Sequence, residues 1–465
     1  MQASVPVSLA SGCTPPPASR GCARPCWRVR SHERGVAVAP ILTWQNGWRY
    51  GLMGAPLAFV ALPLYVLLPN HYAREYGVPL ASLGATLLAV RLADTVIDPL
   101  LGRWADSVRA HSEVLRWAVV TALLMCGGFT LLFFPSRLVL QGHIDVLLWL
   151  VASLLLTTLA FSALSILHQT WGARLGGDAV FRSRVVAWRE GLGLIGVIVA
   201  SITPVALGLS ATTALLYVAS LGGWLAWRSA VFSPQLNMPT LPYPPVGLDS
   251  ASRSSLWLPW QRPAFVRLLA VFMLNGIASA VPATLMLFFV QDRLQAPDSW
   301  QPLFLGSYFV CAALSIGLWL RLVPLWGLAG TWLAGMGLSV LVFAFASVLG
   351  AGDTLAFVLV CALSGIALGP DLALPAALLT GVIQHSGDQQ HLEGSYFGWW
   401  TFAAKLNLAL AAGLALPLLG WLGYTPGTTD AQALSTLTLA YCVLPCFLKA
   451  LAGLLLYTLI LRKTP

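Results

Sequence analysis

Asp94 and Asp98 stand four residues apart, with Arg91 three residues before the first and Pro99 directly after the second, in an otherwise apolar run. On a helix, Arg91, Asp94 and Asp98 share one face. Two carboxylates one turn apart repel each other unless a proton, a cation or the Arg91 guanidinium relieves them, so they titrate as a coupled pair. Such a pair suits reversible binding of H⁺ or Na⁺. The plainer alternative is a structural ion-pair cluster that ties helices together. Just beyond lie Gly102, Arg103, Asp106 and Arg109. This spacing predicts a tight glycine turn whose alternating charges latch helix ends in one state and release them in another, or else an ordinary solvated loop.

Other ionisable residues also interrupt apolar stretches. Arg189 and its neighbour Glu190 follow a basic turn that holds Arg182 and Arg184. Adjacent residues point about 100° apart on a helix, so the two need not pair. Lys405 lies deep in its stretch, with Asn407 following. Facing a central cavity, Arg189 and Lys405 would hydrogen-bond a polar or anionic solute or exchange partners with Asp94 and Asp98. Lys449 sits nearer the end of its stretch and is expected to snorkel to the surface. Asp371 follows Gly369 and Pro370; proline frees backbone groups there, which predicts a hinge with a charge in it. His168 is expected to be a structural hydrogen-bonding residue, and Trp171 offers a ring that can stack on a ligand.

These residues need elements to hold them, and composition says which. Of the 465 residues 58% are hydrophobic and 9% charged, too apolar for a soluble chain of this size and typical of one that lies in a bilayer. A spanning helix takes about 20 mainly apolar residues. The sequence predicts spans at 48–68, 79–101, 114–134, 144–168, 185–207 and 211–227, then at 266–290, 303–320, 325–349, 355–383, 396–422 and 434–461. The net charge of +9 reports orientation and not a nucleic-acid partner. With both termini cytoplasmic, the inward loops hold Arg103, Arg109, Arg174, Arg182, Arg184 and Arg462 among others, and the outward loops only Arg74, Arg137 and Arg293. A multi-pass protein of the cell (inner) membrane, working as a monomer, is expected.

Four segments follow. Residues 1–40 are an irregular leader, disordered or the product of an upstream start codon. It lacks the apolar core of a secretory signal, and its Cys13, Cys22 and Cys26 have no matching histidines for a metal. Residues 41–231 form a six-helix half, 232–263 a proline-rich cytoplasmic linker, and 264–465 a second six-helix half. Five further cysteines lie in apolar spans, where a thiol behaves as a small hydrophobe. Two six-helix halves with a solute site between them are the plan of the major facilitator architecture, an all-α integral membrane fold of 12 transmembrane helices.

The stretch from Asp94 through Asp98, Pro99 and Gly102 to Asp106 resembles the D-x-x-x-D-P-x-x-G-x-x-x-D pattern of the glycoside-pentoside-hexuronide:cation symporters. Tyr50 and Gly51, Arg184 and Arg189, Lys405, and the run from Leu422 to Pro426 lie where that family places similar residues. The resemblance covers about Arg49 to Lys463. It implies that Asp94 and Asp98 bind the coupling cation, that Trp171 and Arg189 line the solute site, and that Lys405 couples the halves beside the cation. Departures shift the detail. Ala58 and Leu167 stand where sugar-transporting members carry acids, which argues against galactoside recognition. Ile97 and Leu164 stand where neutral Na⁺ ligands are expected, which favours H⁺.

Cation-coupled symport of a sugar-like or other small polar solute is the leading expectation, with no cofactor. A facilitator or exporter of a non-sugar, amphiphilic solute is the alternative, favoured by Ala58 and Leu167. No H-E-x-x-H, G-x-S-x-G or phosphate-binding Gly-Lys pattern is present, so a membrane enzyme is not expected. A sensor that binds a ligand without moving it is the last option.

Overall fold

The computed structural model describes residues 42–230, 256–421, 423–424 and 427–463. The leader, most of the linker, and Leu422, Thr425 and Pro426 lie outside the described residues. Fourteen helices follow in chain order: α1 (Trp44–Gly51), α2 (Gly54–Leu62), α3 (Leu68–Glu75), α4 (Leu80–Ser107), α5 (His111–Phe133), α6 (Arg137–Leu140), α7 (Val146–Arg174), α8 (Ala179–Arg228), α9 (Pro263–Phe288), α10 (Gln301–Ala346), α11 (Thr354–His385), α12 (Glu393–Trp421), α13 (Ala431–Thr438) and α14 (Leu444–Leu459). A helix rises 1.5 Å per residue, so the 50 residues of α8 would reach about 75 Å if straight, more than twice the hydrocarbon thickness. Instead α8 turns back at Gly208 and α10 at Gly327, each with a backbone φ (80° and 69°) that glycine alone adopts readily. Pro204 and Pro324 lie just before these turns.

Among the described residues, eight helical segments are long and apolar enough to cross a membrane. The two legs of α8 count separately among them, while α10 counts once although it turns back on itself. The bundle also holds α4, α12 and a first span that runs through α1, α2, a π-helical stretch (Pro63–Leu67) and α3. Carboxylates at the loops start the spans cleanly: Asp145 accepts from the amides of Leu147 and Leu148 at the head of α7, and Asp178 from Phe181 at the head of α8.

Two expectations fail locally. Gly102 is not in a turn. It lies within α4, and a Cβ there would come 2.2 Å from the Gly394 carbonyl oxygen and 2.9 Å from Gly398 Cα, so glycine is what lets α4 and α12 touch backbone to backbone. Asp371 is not at a break either, since α11 runs helically through Pro370 and Pro375. Packed neighbours make such prolines tolerable in a spanning helix.

Candidate functional site

The face of α4 predicted to carry Arg91, Asp94 and Asp98 turns toward α7 and α12. Asp98 is fully buried and Asp94 nearly so. The side chain of Lys405 enters from α12 and places its ammonium between the two acids, 2.6 Å from Asp94 Oδ2 and 2.9 Å from Asp98 Oδ1. Its third donor meets Ser162 Oγ on α7 at 2.7 Å, and that hydroxyl donates to Asp94 Oδ1 at 3.2 Å. Three oxygens thus converge on one cation, at the strength expected of charge-assisted bonds. Asp98 Oδ2 is buried with no hydrogen-bond partner. Arg91, expected as the counter-charge of the acids, lines a cavity with Asp94, Lys405, Thr158 and Phe161, but the cation between the carboxylates belongs to Lys405.

Ser162 was missed by sequence reading. It stands two residues before Leu164, where a neutral ligand had been expected and was absent, and no periodicity separates one serine in an apolar helix from a packing residue.

A second charged cluster joins residues of α9, α10, α11 and α14. Lys449 does not snorkel: it is 5% exposed and its ammonium lies 2.7 Å from Asp371 Oδ2. Asp371 also accepts from Asn275 Nδ2 at 3.1 Å, Trp332 Nε1 at 2.8 Å and Ser279 Oγ at 3.5 Å, and Lys449 donates to Ser279 Oγ at 2.8 Å. A buried ammonium beside a carboxylate is far cheaper in a bilayer than either charge alone, which is why Lys449 stays inside.

At the ends of α4 and α7, Asp106 accepts from the Gly394 amide (2.6 Å), the Ser395 amide (2.8 Å) and Ser395 Oγ (2.6 Å) at the start of α12. Arg174 lies 4.0 Å from Asp106 and 3.7 Å from Glu393. Together with the Gly102 contact, these bonds hold this end of α4 closed on α12.

Arg189 pairs with Glu190 after all; their long side chains bend to meet although their Cβ atoms diverge. Arg189 also lines a second cavity with Tyr50, Gln169, Arg182, Thr380 and Phe397. Trp171 packs against His111, ring centroids 4.8 Å apart, and its indole N–H is buried without a partner. Nine residues along α7 from Ser162, it is about 13 Å of helix rise from the Lys405 cluster. His168 is fully buried and bonds the Tyr50 carbonyl oxygen at 3.0 Å, while Tyr50 donates back to the His168 carbonyl oxygen at 2.8 Å. It is a structural residue, as expected.

Comparison with known proteins agrees with this architecture. Residues 48–463 match the family described as MFS/sugar transport protein. A protein of Escherichia coli K12 named as a glycoside/cation symporter, YagG, is 24% identical over 159 residues, a match that spans 33% of this chain and 33% of that relative. Among solved structures, a bacterial homologue of the iron transporter ferroportin in an outward-facing state is similar with a TM-score of 0.66 at 16% identity, over 89% of this chain and 98% of the other. The E. coli fucose:proton symporter is similar with a TM-score of 0.57 at 13% identity, over 88% and 97%. At such identities these structures speak to the fold alone. The chain therefore belongs to the MFS/sugar transport protein family, and is a multi-pass membrane transporter of the major facilitator fold that binds a small solute, not an enzyme.

Proposed function

We propose that this protein is a cation-coupled symporter that moves a sugar-like or other small polar solute by alternating access, with Asp94 and Asp98 as the coupling-cation site. The observation that carries this reading is the Lys405 ammonium, held 2.6 Å from Asp94 and 2.9 Å from Asp98. It reaches them from α12, while both acids lie on α4, so the pair spans the two six-helix halves at 41–231 and 264–465. A cation that neutralises Asp98 loosens Lys405's hold and lowers the electrostatic cost of parting the halves. H⁺ is favoured over Na⁺. The bare, buried Asp98 Oδ2 is a ready acceptor, and Ile97 and Leu164 offer no oxygen.

Both termini are placed in the cytoplasm of a cell-membrane protein, on the positive-inside distribution of arginine and lysine. The closed end at Gly102 and Asp106 is then the cytoplasmic gate, and Arg189 and Lys405 border the path of the solute. Reconstitution in liposomes tests the reading: candidate solutes are screened for uptake under an imposed H⁺ or Na⁺ gradient. Accumulation that follows one gradient and disappears in Asp98→Asn supports it. Uptake indifferent to both gradients sinks it.

A further inference from the structure

Arg182 contrasts with four cations that the structure pairs with carboxylates. Lys405 faces Asp94 and Asp98, Lys449 faces Asp371, Arg189 faces Glu190, and Arg174 faces Asp106 and Glu393. Arg182 makes no ion pair within 4.0 Å among the described residues. Its guanidinium donates to the side-chain oxygen of Gln384 on α11 and, at 3.4 Å, to the Gly177 carbonyl oxygen, and its Nε is buried without a partner. Asp178 attracts it through space, but that carboxylate caps α8, accepting from the Phe181 amide at 2.8 Å.

A half-buried guanidinium whose Nε is closed off from solvent without a partner, and which has no carboxylate within 4.0 Å among the described residues, gains from an anion that joins it. Arg182 lines the cavity bordered by α1, α7 and α8 on one side and by α11 and α12 on the other. Arg189, seven residues on, shares its helix face. Gln169 and Thr380 add neutral hydrogen-bonding groups, and no Asp or Glu lines this cavity among the described residues. The planar fork of a guanidinium matches two oxygens of a carboxylate or phosphate better than the single oxygen of an amide.

Resting on the transporter reading above, we propose that Arg182 is an anion-binding residue of the solute cavity and that the transported solute carries a negatively charged group of carboxylate or phosphate type. Gln384 is the resting partner that the anion displaces. Because Arg182 lies on α8 and Gln384 on α11, that displacement removes a bond between the two halves of the bundle, and solute arrival at Arg182 favours their separation.

The test uses the full-length purified protein in neutral detergent at fixed pH and ionic strength. Its thermal unfolding is followed against glucose 6-phosphate, glucose and inorganic phosphate. Both phosphates are expected to raise Tm and glucose to do so far less. Arg182→Gln should weaken the apparent affinity for the phosphates by about tenfold or more, and Arg182→Lys should recover part of it. Gln384→Ala, which removes the resting partner and keeps the charge, should bind them as tightly as the parent or more tightly. Equal stabilisation by glucose, no stabilisation by either phosphate, or undiminished binding in Arg182→Gln overturns the proposal. So does a Gln384→Ala loss as large as that of Arg182→Gln, which would mark Arg182 as a latch only. Gradient-driven uptake of a neutral solute that Arg182→Gln leaves intact would remove the anion site and leave symport standing.

Discussion

The two buried Asp–Lys clusters look alike in composition and differ in what they join. Lys405 on α12 binds two acids on α4 and a hydroxyl on α7, across the two halves. Lys449 on α14 binds Asp371 on α11, with Asn275 and Ser279 of α9 and Trp332 of α10, all within the second half. Asp371 receives donors on both oxygens, whereas Asp98 keeps one buried oxygen bare; in the second cluster the bare atom is the neutral amide oxygen of Asn275 and not a carboxylate oxygen. A buried pair between bodies that separate must be broken in each cycle, so incomplete satisfaction lowers the cost of breaking it. A pair inside one body gains from being complete. On the symport reading proposed above, the first cluster is the one that exchanges partners, while the second joins four helices of one half.

The largest effect that separates them is all-or-none. Asp98→Asn should abolish gradient-driven accumulation in liposomes while the protein still elutes as a folded, monodisperse species, because a neutral amide cannot cycle between charged and uncharged forms. Full accumulation in this variant would break the distinction. Next in size, Asp371→Ala leaves the Lys449 ammonium buried and unpaired, which should cost about 3 to 5 kcal/mol in unfolding free energy. Replacing both partners by apolar residues, Asp371→Leu with Lys449→Met, should recover most of that loss. Denaturant unfolding of single and double variants decides it; a single variant as stable as the parent would show that the second cluster holds nothing.

A smaller effect acts on the geometry that brings the first cluster together. Gly102→Ala adds a Cβ where the nearest atoms are backbone of Gly394 and Gly398, so α4 and α12 must part and Asp106 must lose its grip on Ser395. In a background without other cysteines, Ser395→Cys should react faster with a maleimide when Gly102→Ala is present. Unchanged labelling would mean that the helices relax around the methyl group.

Much of this was legible from the residue order. The apolar runs located nearly every span, the break predicted between 207 and 211 coincides with the turn at Gly208, and the four-residue spacing of Asp94 and Asp98 placed both on the face that meets Lys405. What escaped depends on distant partners. Lys449 reads as a snorkelling residue until Asp371, 78 positions away, is seen beside it. Gly102 reads as a turn because its partner glycines lie on α12. Ser162 carries no mark of its own in the sequence, since a hydroxyl in an apolar helix usually bonds back to its own turn, as Ser153 does to the Trp149 carbonyl oxygen at 2.7 Å.

The smallest expected effects sharpen the comparison most, because each removes one neutral partner. Trp332→Phe deletes the indole donor 2.8 Å from Asp371 Oδ1 and leaves Asn275, Ser279 and Lys449 in place, so stability should fall by about 1.5 kcal/mol with the gradient dependence of uptake unchanged. Ser162→Ala deletes the hydroxyl that holds both Lys405 and Asp94. Here the fold should lose little, because the ammonium keeps both carboxylates, but the pH at which uptake is half-maximal should move, since Asp94 loses a donor and Lys405 leans harder on the acids. If Ser162→Ala shifts only Tm, or Trp332→Phe shifts only the pH profile of uptake, the roles assigned to the two clusters are reversed.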